Sequence, residues 1–177
     1  MHPQKKAMLW INIIGGVAVL GSYVYGLLSH PGSGEALWGG VPQEVRPLYI
    51  AGMLFAALGY FAFTYYLFFR LDPIEARVGK RFGFGIFNWL YVGILAPSAM
   101  WMPLTWIMLE QPGVGLWFGI QVVLALVGLA SLGLVLALLE VRPRAPMWAY
   151  LLAVIGSAVF CAHTGVLDAL VWPALFR

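Results

Sequence analysis

Four side chains at a similar depth are the residues of this sequence most able to bind a ligand. His163, Gln121, Trp101 and Tyr23 each lie inside a long apolar segment. His163, Gln121 and Trp101 are each about eight residues from the same predicted end of their segments, which is roughly 10 Å at 1.5 Å per residue, and Tyr23 lies nearby in the first segment. An unpartnered polar group in a bilayer is costly, so such residues mark candidate functional sites. An alternative remains open, in which His163 bonds Gln121 or a backbone carbonyl and only fastens two helices.

A second ionisable residue, Asp168, follows His163 by five positions. In an α-helix this spacing separates the two side chains by about 140°, which predicts no direct pair between them. We expect Asp168 to reach water at the headgroups.

Motifs of established catalytic chemistry are absent from the sequence. It contains no His-Glu-x-x-His, no phosphate-binding glycine loop, no Gly-x-Ser-x-Gly and no carboxylate pair within one apolar segment. The single cysteine, Cys161, permits no intramolecular disulfide and indicates no metal site. We assign no catalytic residues, leave the cofactor open, and keep a small membrane enzyme using His163 as acid or base as a third possibility.

The composition identifies the elements that must position these residues. Of 177 residues, 62% are hydrophobic and 10% are charged, against about 25% charged residues in soluble domains. The net charge of +3 comes from clusters that flank apolar segments, which is typical of membrane boundaries and not of a nucleic-acid surface. These values exclude a soluble globular protein.

Five apolar segments are long enough to cross a bilayer, which requires about 20 helical residues. They cover residues 7–28, 48–69, 82–109, 113–139 and 147–170. We read the first as a retained span, because no cleavage site for a signal peptidase precedes the loop that follows it. The sequence therefore predicts an all-α integral membrane bundle of five transmembrane helices in one domain, 1–177.

The basic residues are divided unequally between the two predicted ends of the bundle. One end carries only Arg46 and Arg177, whereas eight lie at the other end: Lys5, Lys6, Arg70, Arg77, Lys80, Arg81, Arg142 and Arg144. Because cytoplasmic loops are enriched in Lys and Arg, the N-terminus is predicted to be cytoplasmic and the C-terminus outside.

The longest connection, residues 29–47, lies on the predicted outer side and is rich in Gly and Pro. One interpretation is a solvated turn. The other is a lid over an outward-facing cavity, because turn chemistry does not require the aromatic side chain of Trp38. Both interpretations remain open.

The third span carries two prolines, Pro97 and Pro103, on either side of Trp101. Each proline removes a backbone hydrogen bond, so we predict a kinked or locally opened helix there. Trp101 then forms one wall of an apolar, aromatic-lined pocket suited to flat ligands. In the fourth span, Gly115 and Gly119 predict close helix packing. Deeper polar residues are interpreted as interhelical hydrogen-bonding groups: Asn12, Thr64, Tyr65 and Asn88.

Two stretches of the chain resemble the translocator protein family, the tryptophan-rich five-helix membrane proteins. Leu54-Phe-Ala-Ala-Leu-Gly-Tyr60 is similar to the family pattern Leu-Tyr-x-x-Met-Gly-Tyr, and Ala96-Pro-Ser-Ala-Met-Trp101-Met-Pro103 is similar to Ala-x-Asn-x-x-Trp-x-Pro. Ser98 stands where the family has Asn. The resemblance implies a pocket for porphyrins, sterols or similar lipophiles, with Trp101 and Pro103 as pocket positions.

We predict that the protein binds or transports a hydrophobic or flat aromatic ligand within the membrane. The alternative is a structural or assembly subunit whose second span contacts another membrane protein through these aromatic residues: Tyr60, Phe61, Phe63, Tyr65, Tyr66, Phe68 and Phe69. The expected partners are the lipid bilayer, a lipophilic small molecule, and a second copy or another membrane protein; nucleic acid is not expected.

Overall fold

The computed structural model describes residues 1–32 and 34–176 and contains five long helices. They are α1 (Pro3–Ser29), α2 (Arg46–Tyr65), α3 (Gly85–Glu110), α4 (Val114–Glu140) and α5 (Met147–Cys161). Two π-helical segments continue the second and fifth helices, Tyr66–Arg70 and Ala162–Val171, and the short helix α6 (Trp172–Leu175) follows the second of them. The predicted five-helix membrane architecture is confirmed, because each span is long and apolar enough to cross a bilayer.

Proline and glycine define several helix ends. Pro3 opens α1, and Pro47 lies in the first turn of α2, where a missing backbone N–H costs nothing. Between α3 and α4 the chain passes through Pro112 and Gly113. Inside α3 the helix runs without interruption through both Pro97 and Pro103, so it does not open there, and the predicted kink stays a prediction.

The helices surround the core in the order α1, α3, α4, α5 and α2. Helix α1 packs along α3, α3 along α4, and α2 along α5, while the π-helical end of the fifth span lies against α4. At one end of the bundle, the basic end (residues 71–84 and 141–146), strands β1 (Arg77–Val78) and β2 (Val141–Arg142) form an antiparallel pair.

Glycines allow the closest helix approach between α2 and α5. A Cβ atom added at Gly156 would lie 2.8 Å from the Cα atom of Gly59, closer than real Cβ contacts. The prediction for Gly115 and Gly119 is wrong, because a Cβ at either position would meet nothing within 4 Å. Among the described residues, no neighbour packs closely against α4 at these two glycines.

Three of the four deeper polar residues form hydrogen bonds between neighbouring helices, as predicted. The hydrogen bonds run from Tyr60 to Asn12 (2.5 Å), between Thr64 and Tyr91 (2.7 Å), and from Asn88 to Gln4 (2.7 Å). Tyr65 differs, since its hydroxyl accepts from Arg70 on the same span. The polar residues near the basic end therefore fasten α1, α2 and α3 together.

The opposite end, the loop end (residues 30–45 and 111–113), is covered by the long connection. The connection forms a 3₁₀ turn at Gly34–Trp38 and buries Val41. The indole of Trp172 donates to Leu37 O at 3.1 Å, and Gly40 N donates to Phe176 O at 3.2 Å. The connection thus packs onto the bundle around Leu37, Gly40 and Val41, while most of its other described residues are exposed. Arg177, which entered the charge count, lies outside the described residues.

Candidate functional site

All five spans contribute aromatic or ionisable side chains to one cluster near the loop end. This loop-end cluster consists of Tyr23, Tyr49, Trp101, Trp117, His163, Asp168 and Trp172. Tyr23 comes from α1, Tyr49 from α2, Trp101 from α3 and Trp117 from α4, and the remaining three come from the fifth span.

His163 and Asp168 lie side by side, contrary to our prediction from α-helical spacing. The Nε2 atom of His163 is 3.6 Å from Oδ1 of Asp168. Both residues belong to the π-helical segment Ala162–Val171. The backbone hydrogen bonds of a π-helix join residues five apart, so its wider turn brings such side chains to the same face. The prediction failed because it assumed α-helical geometry.

His163 is buried against α2. Its side chain leaves little room beside Gly52, where an added Cβ atom would lie 2.6 Å from Nδ1 of the imidazole. The ring meets that of Tyr49 edge to face at 6.4 Å, and the Tyr49 hydroxyl donates to Leu167 O at 3.0 Å. The Nδ1 atom of His163 is itself buried without a hydrogen-bond partner among the described residues. Such an atom carries a free-energy cost that a ligand could remove.

Tryptophan rings complete the cluster on the side of α3 and α4. Trp101 meets Tyr23 at 5.9 Å and Trp172 at 5.7 Å, both edge to face, and Trp117 lies 6.0 Å from Trp172. The indole nitrogen of Trp101 is also buried with no hydrogen-bond partner in the described part of the chain. The cluster therefore holds two buried polar atoms, on Trp101 and His163, that have no hydrogen-bond partner among the described residues.

Asp168 forms the accessible edge of the cluster. Its side chain is 30% exposed, compared with 7% for that of His163. A carboxyl group beside an imidazole can exchange a proton or bind a hydrogen-bond donor. The Asp168 carboxyl group makes no hydrogen bond to Nδ1 of His163 or to the indole nitrogen of Trp101.

The structure brings together Trp101, His163 and Tyr23 of the predicted site residues, and places Trp38 beside them. Trp38 meets Tyr49 edge to face at 6.0 Å. Gln121 does not join them, because it is exposed on the outer face of α4, so the predicted bond to His163 does not form.

Pro103 is exposed as well and does not reach the cluster. It follows Trp101 by two positions, which places the two residues on opposite sides of an α-helix.

Sequence reasoning missed Tyr49, Trp117 and Trp172. Tyr49 lies three residues after the start of α2, close to the predicted boundary at 48, and an aromatic ring there resembles a membrane-interface anchor. Trp172 lies just beyond the predicted end of the fifth segment at 170, where the same interpretation applies. Their distance from the loop end could have identified them. It places them at the same level as the turns of the neighbouring helices that lie nearest to the loop end.

A separate ionisable contact lies just outside the spans at the loop end. His30 stacks on Trp106 at 4.1 Å, and its two ring nitrogens lie 2.9 Å from Oε1 of Glu110 and 2.9 Å from Gly26 O. Both partners are hydrogen-bond acceptors, so the fully protonated imidazole suits them best. The bond to Glu110, and then that to Gly26 O, raises the pKa of His30.

The described residues contain no group of three or more His, Cys, Asp or Glu side chains that could hold a metal ion. The interpretation as an enzyme needs a second reactive group within about 3 Å of His163. Asp168 is the candidate, at 3.6 Å.

Comparison of the chain with family models, with characterised proteins and with solved structures finds no match. The site must therefore be interpreted from its own geometry.

Proposed function

We propose that the protein binds a lipophilic small molecule carrying at least one polar group at the loop-end cluster. The observation that carries the proposal is the pair of buried, unpartnered polar atoms, Nδ1 of His163 and Nε1 of Trp101, within an aromatic shell. Leaving such groups unpaired costs about 1 to 3 kcal/mol each, which a ligand's polar group would recover. An apolar site with a few convergent polar groups is the usual form of a small-molecule site.

The geometry suggests how the ligand lies. Its apolar or flat part would stack on Trp101 and Tyr23, whose rings already meet edge to face. Its polar group would lie at the edge of the cluster beside Asp168, whose side chain is 30% exposed. The long connection covers the end of this cluster through Trp38, in the position that a lid requires.

The resemblance to the translocator family favours porphyrins, sterols and related lipophiles as the first ligands to test. It rests on two short motifs, of which Trp101 belongs to the cluster and Pro103 does not. We therefore keep the ligand class of that family as a proposal and carry over only Trp101.

The alternative function, a subunit that contacts its partner through aromatic residues of the second span, is less well supported. Phe63 and Tyr66 are fully buried within the chain's own core. Phe61 and Phe69 are largely exposed, and they lie on a surface that lipid can cover equally well. Because the largest buried rings of this span serve the chain's own packing, we favour ligand binding.

Titration of tryptophan fluorescence with a porphyrin, a sterol and a quinone tests the proposal. Trp101→Ala should weaken the bound ligand by about 1 to 3 kcal/mol, because it removes a stacking surface. Trp89→Ala is the matched control, since Trp89 lies on the same helix but is 75% exposed. The proposal fails if none of the three compounds quenches the wild-type protein, or if both variants lose the same affinity.

We also propose that the basic end faces the cytoplasm and the loop end faces outside, on the strength of the unequal distribution of basic residues. The test is labelling of single cysteines, introduced at Gly34 or at Lys80 in a Cys161→Ala background, with a membrane-impermeant maleimide. The cysteine at position 34 should react from outside. Reaction of the cysteine at position 80 from outside would reverse the orientation.

A further inference from the structure

A groove at the basic end is unrelated to the loop-end cluster. It is an open groove of about 410 Å³ between the β1 connection and helices α3 and α4. Its floor and walls include Ile86 of α3 and Leu136 of α4, and its rim includes Lys80, Arg81 and Glu140. This basic-end groove combines an apolar wall with charged groups at a membrane boundary.

The two cations at the rim are held in place by a tight turn. Val78 and Phe82 exchange two backbone hydrogen bonds, of 2.8 and 3.3 Å, and Gly79 between them has a φ of +57°, which favours glycine. The turn is tied to α4, because Gly79 N donates to Glu140 O at 3.5 Å. Lys80 and Arg81 thus project from a fixed backbone at the end of a span.

Neither cation forms an ion pair within the described part of the chain. The ion pairs described involve Arg46, His30 and His163, and none includes Lys80 or Arg81. Glu140 on the opposite rim offsets one of the two charges, which leaves the groove with a net charge of +1. The groove therefore presents uncompensated positive charge beside apolar surface.

We propose that the basic-end groove binds one anionic phospholipid, with its phosphate at Lys80 and Arg81 and an acyl chain along Leu136 and Ile86. Charge complementarity favours an anion, and the apolar wall on the membrane-spanning faces of α3 and α4 favours an acyl chain over a soluble ligand. Basic pockets between transmembrane helices bind such headgroups in general. The proposal is independent of the ligand at the loop-end cluster.

Native mass spectrometry of the detergent-solubilised protein tests the proposal, by titration with phosphatidylglycerol and with phosphatidylcholine of the same acyl chains. The wild type should bind one phosphatidylglycerol in preference to phosphatidylcholine. Lys80→Gln with Arg81→Gln should reduce this affinity by about 30-fold, as expected for two charges near a headgroup. Glu140→Gln should increase it, because the opposing charge is removed.

Two further measurements separate the proposed site from general attraction to a basic surface. Lys5→Gln with Lys6→Gln removes the same charge at the same end but outside the groove, and should leave the affinity within about twofold of wild type. Leu136→Ala should weaken the phospholipid without changing the charge. Equal losses in the two double variants, no preference for phosphatidylglycerol, or displacement by soluble glycerol phosphate at the same concentration would each overturn the proposal.

Discussion

The close approach of α2 and α5 at Gly156 makes the sharpest prediction about stability. In Gly156→Ala the new Cβ atom would lie 2.8 Å from Gly59 Cα, 2.9 Å from Gly59 O and 3.2 Å from the Cβ atom of Ala62. Optimal carbon contacts are about 3.5 to 4.0 Å, so the helices must separate by about 1 Å. Two of the three atoms are backbone, and no side-chain rotation can relieve the clash.

The expected loss follows from two opposing effects. Overpacking of this kind costs about 1 to 3 kcal/mol, and alanine offsets up to about 1 kcal/mol of it through its higher helix propensity. We expect Gly156→Ala to lower the free energy of unfolding by about 1 to 2 kcal/mol. Equilibrium unfolding in mixed micelles with sodium dodecyl sulfate, followed by circular dichroism, measures this difference.

Gly119→Ala is the matched control, because its added Cβ atom meets nothing within 4 Å. This variant should be as stable as wild type or more stable, by at most about 1 kcal/mol. If Gly156→Ala is as stable as Gly119→Ala, the contact between α2 and α5 is not limited by the glycine backbone, and the reasoning is refuted.

Three further predictions concern single side chains. The pKa of His30 is raised chiefly by its hydrogen bond to Glu110. The stability that protonated His30 contributes is therefore present below about pH 6.5 and is lost as the pH rises through the raised pKa. The difference in melting temperature between wild type and His30→Gln should shrink from about pH 6 to about pH 9. An equal difference at both pH values would contradict this. Tyr60→Phe removes the donor to Asn12 and should cost about 0.6 kcal/mol of unfolding free energy in mixed micelles; no loss would mean that the bond contributes nothing. Pro103→Ala should leave ligand affinity in the fluorescence titration unchanged, because Pro103 is exposed; a loss as large as that of Trp101→Ala would place it at the site.

Much of the fold could be predicted because the bilayer restricts the possible structures. Apolar segments of sufficient length must form helices to satisfy their backbone hydrogen bonds, so hydropathy alone predicts five spans. The polar residues Asn12, Thr64 and Asn88 were also interpreted correctly, since a polar side chain among apolar neighbours needs a partner on another helix.

The sequence could not predict in the same way which side chains turn into the bundle or which of them meet. Gln121 and His163 lie at similar predicted depth, yet only His163 turns into the bundle. Depth follows from the position along a helix, but the rotation of each helix about its axis depends on the neighbours it packs against. In α4, whose residues are apolar on every side, the sequence has no amphipathic pattern that indicates this rotation.

The sequence by itself determined the class of protein, the number of spans and the residues whose side chains can bind or react. These depend on composition and length. Tertiary structure alone decided which of those residues meet. The pairing of His163 with Asp168 depends on a change from α-helical to π-helical hydrogen bonding, and the segment Ala162–Val171 carries no proline or other marker of that change. This segment also packs on α4, where Gly128 and Gly165 approach closely. Such contacts between distant segments are not encoded in any local pattern.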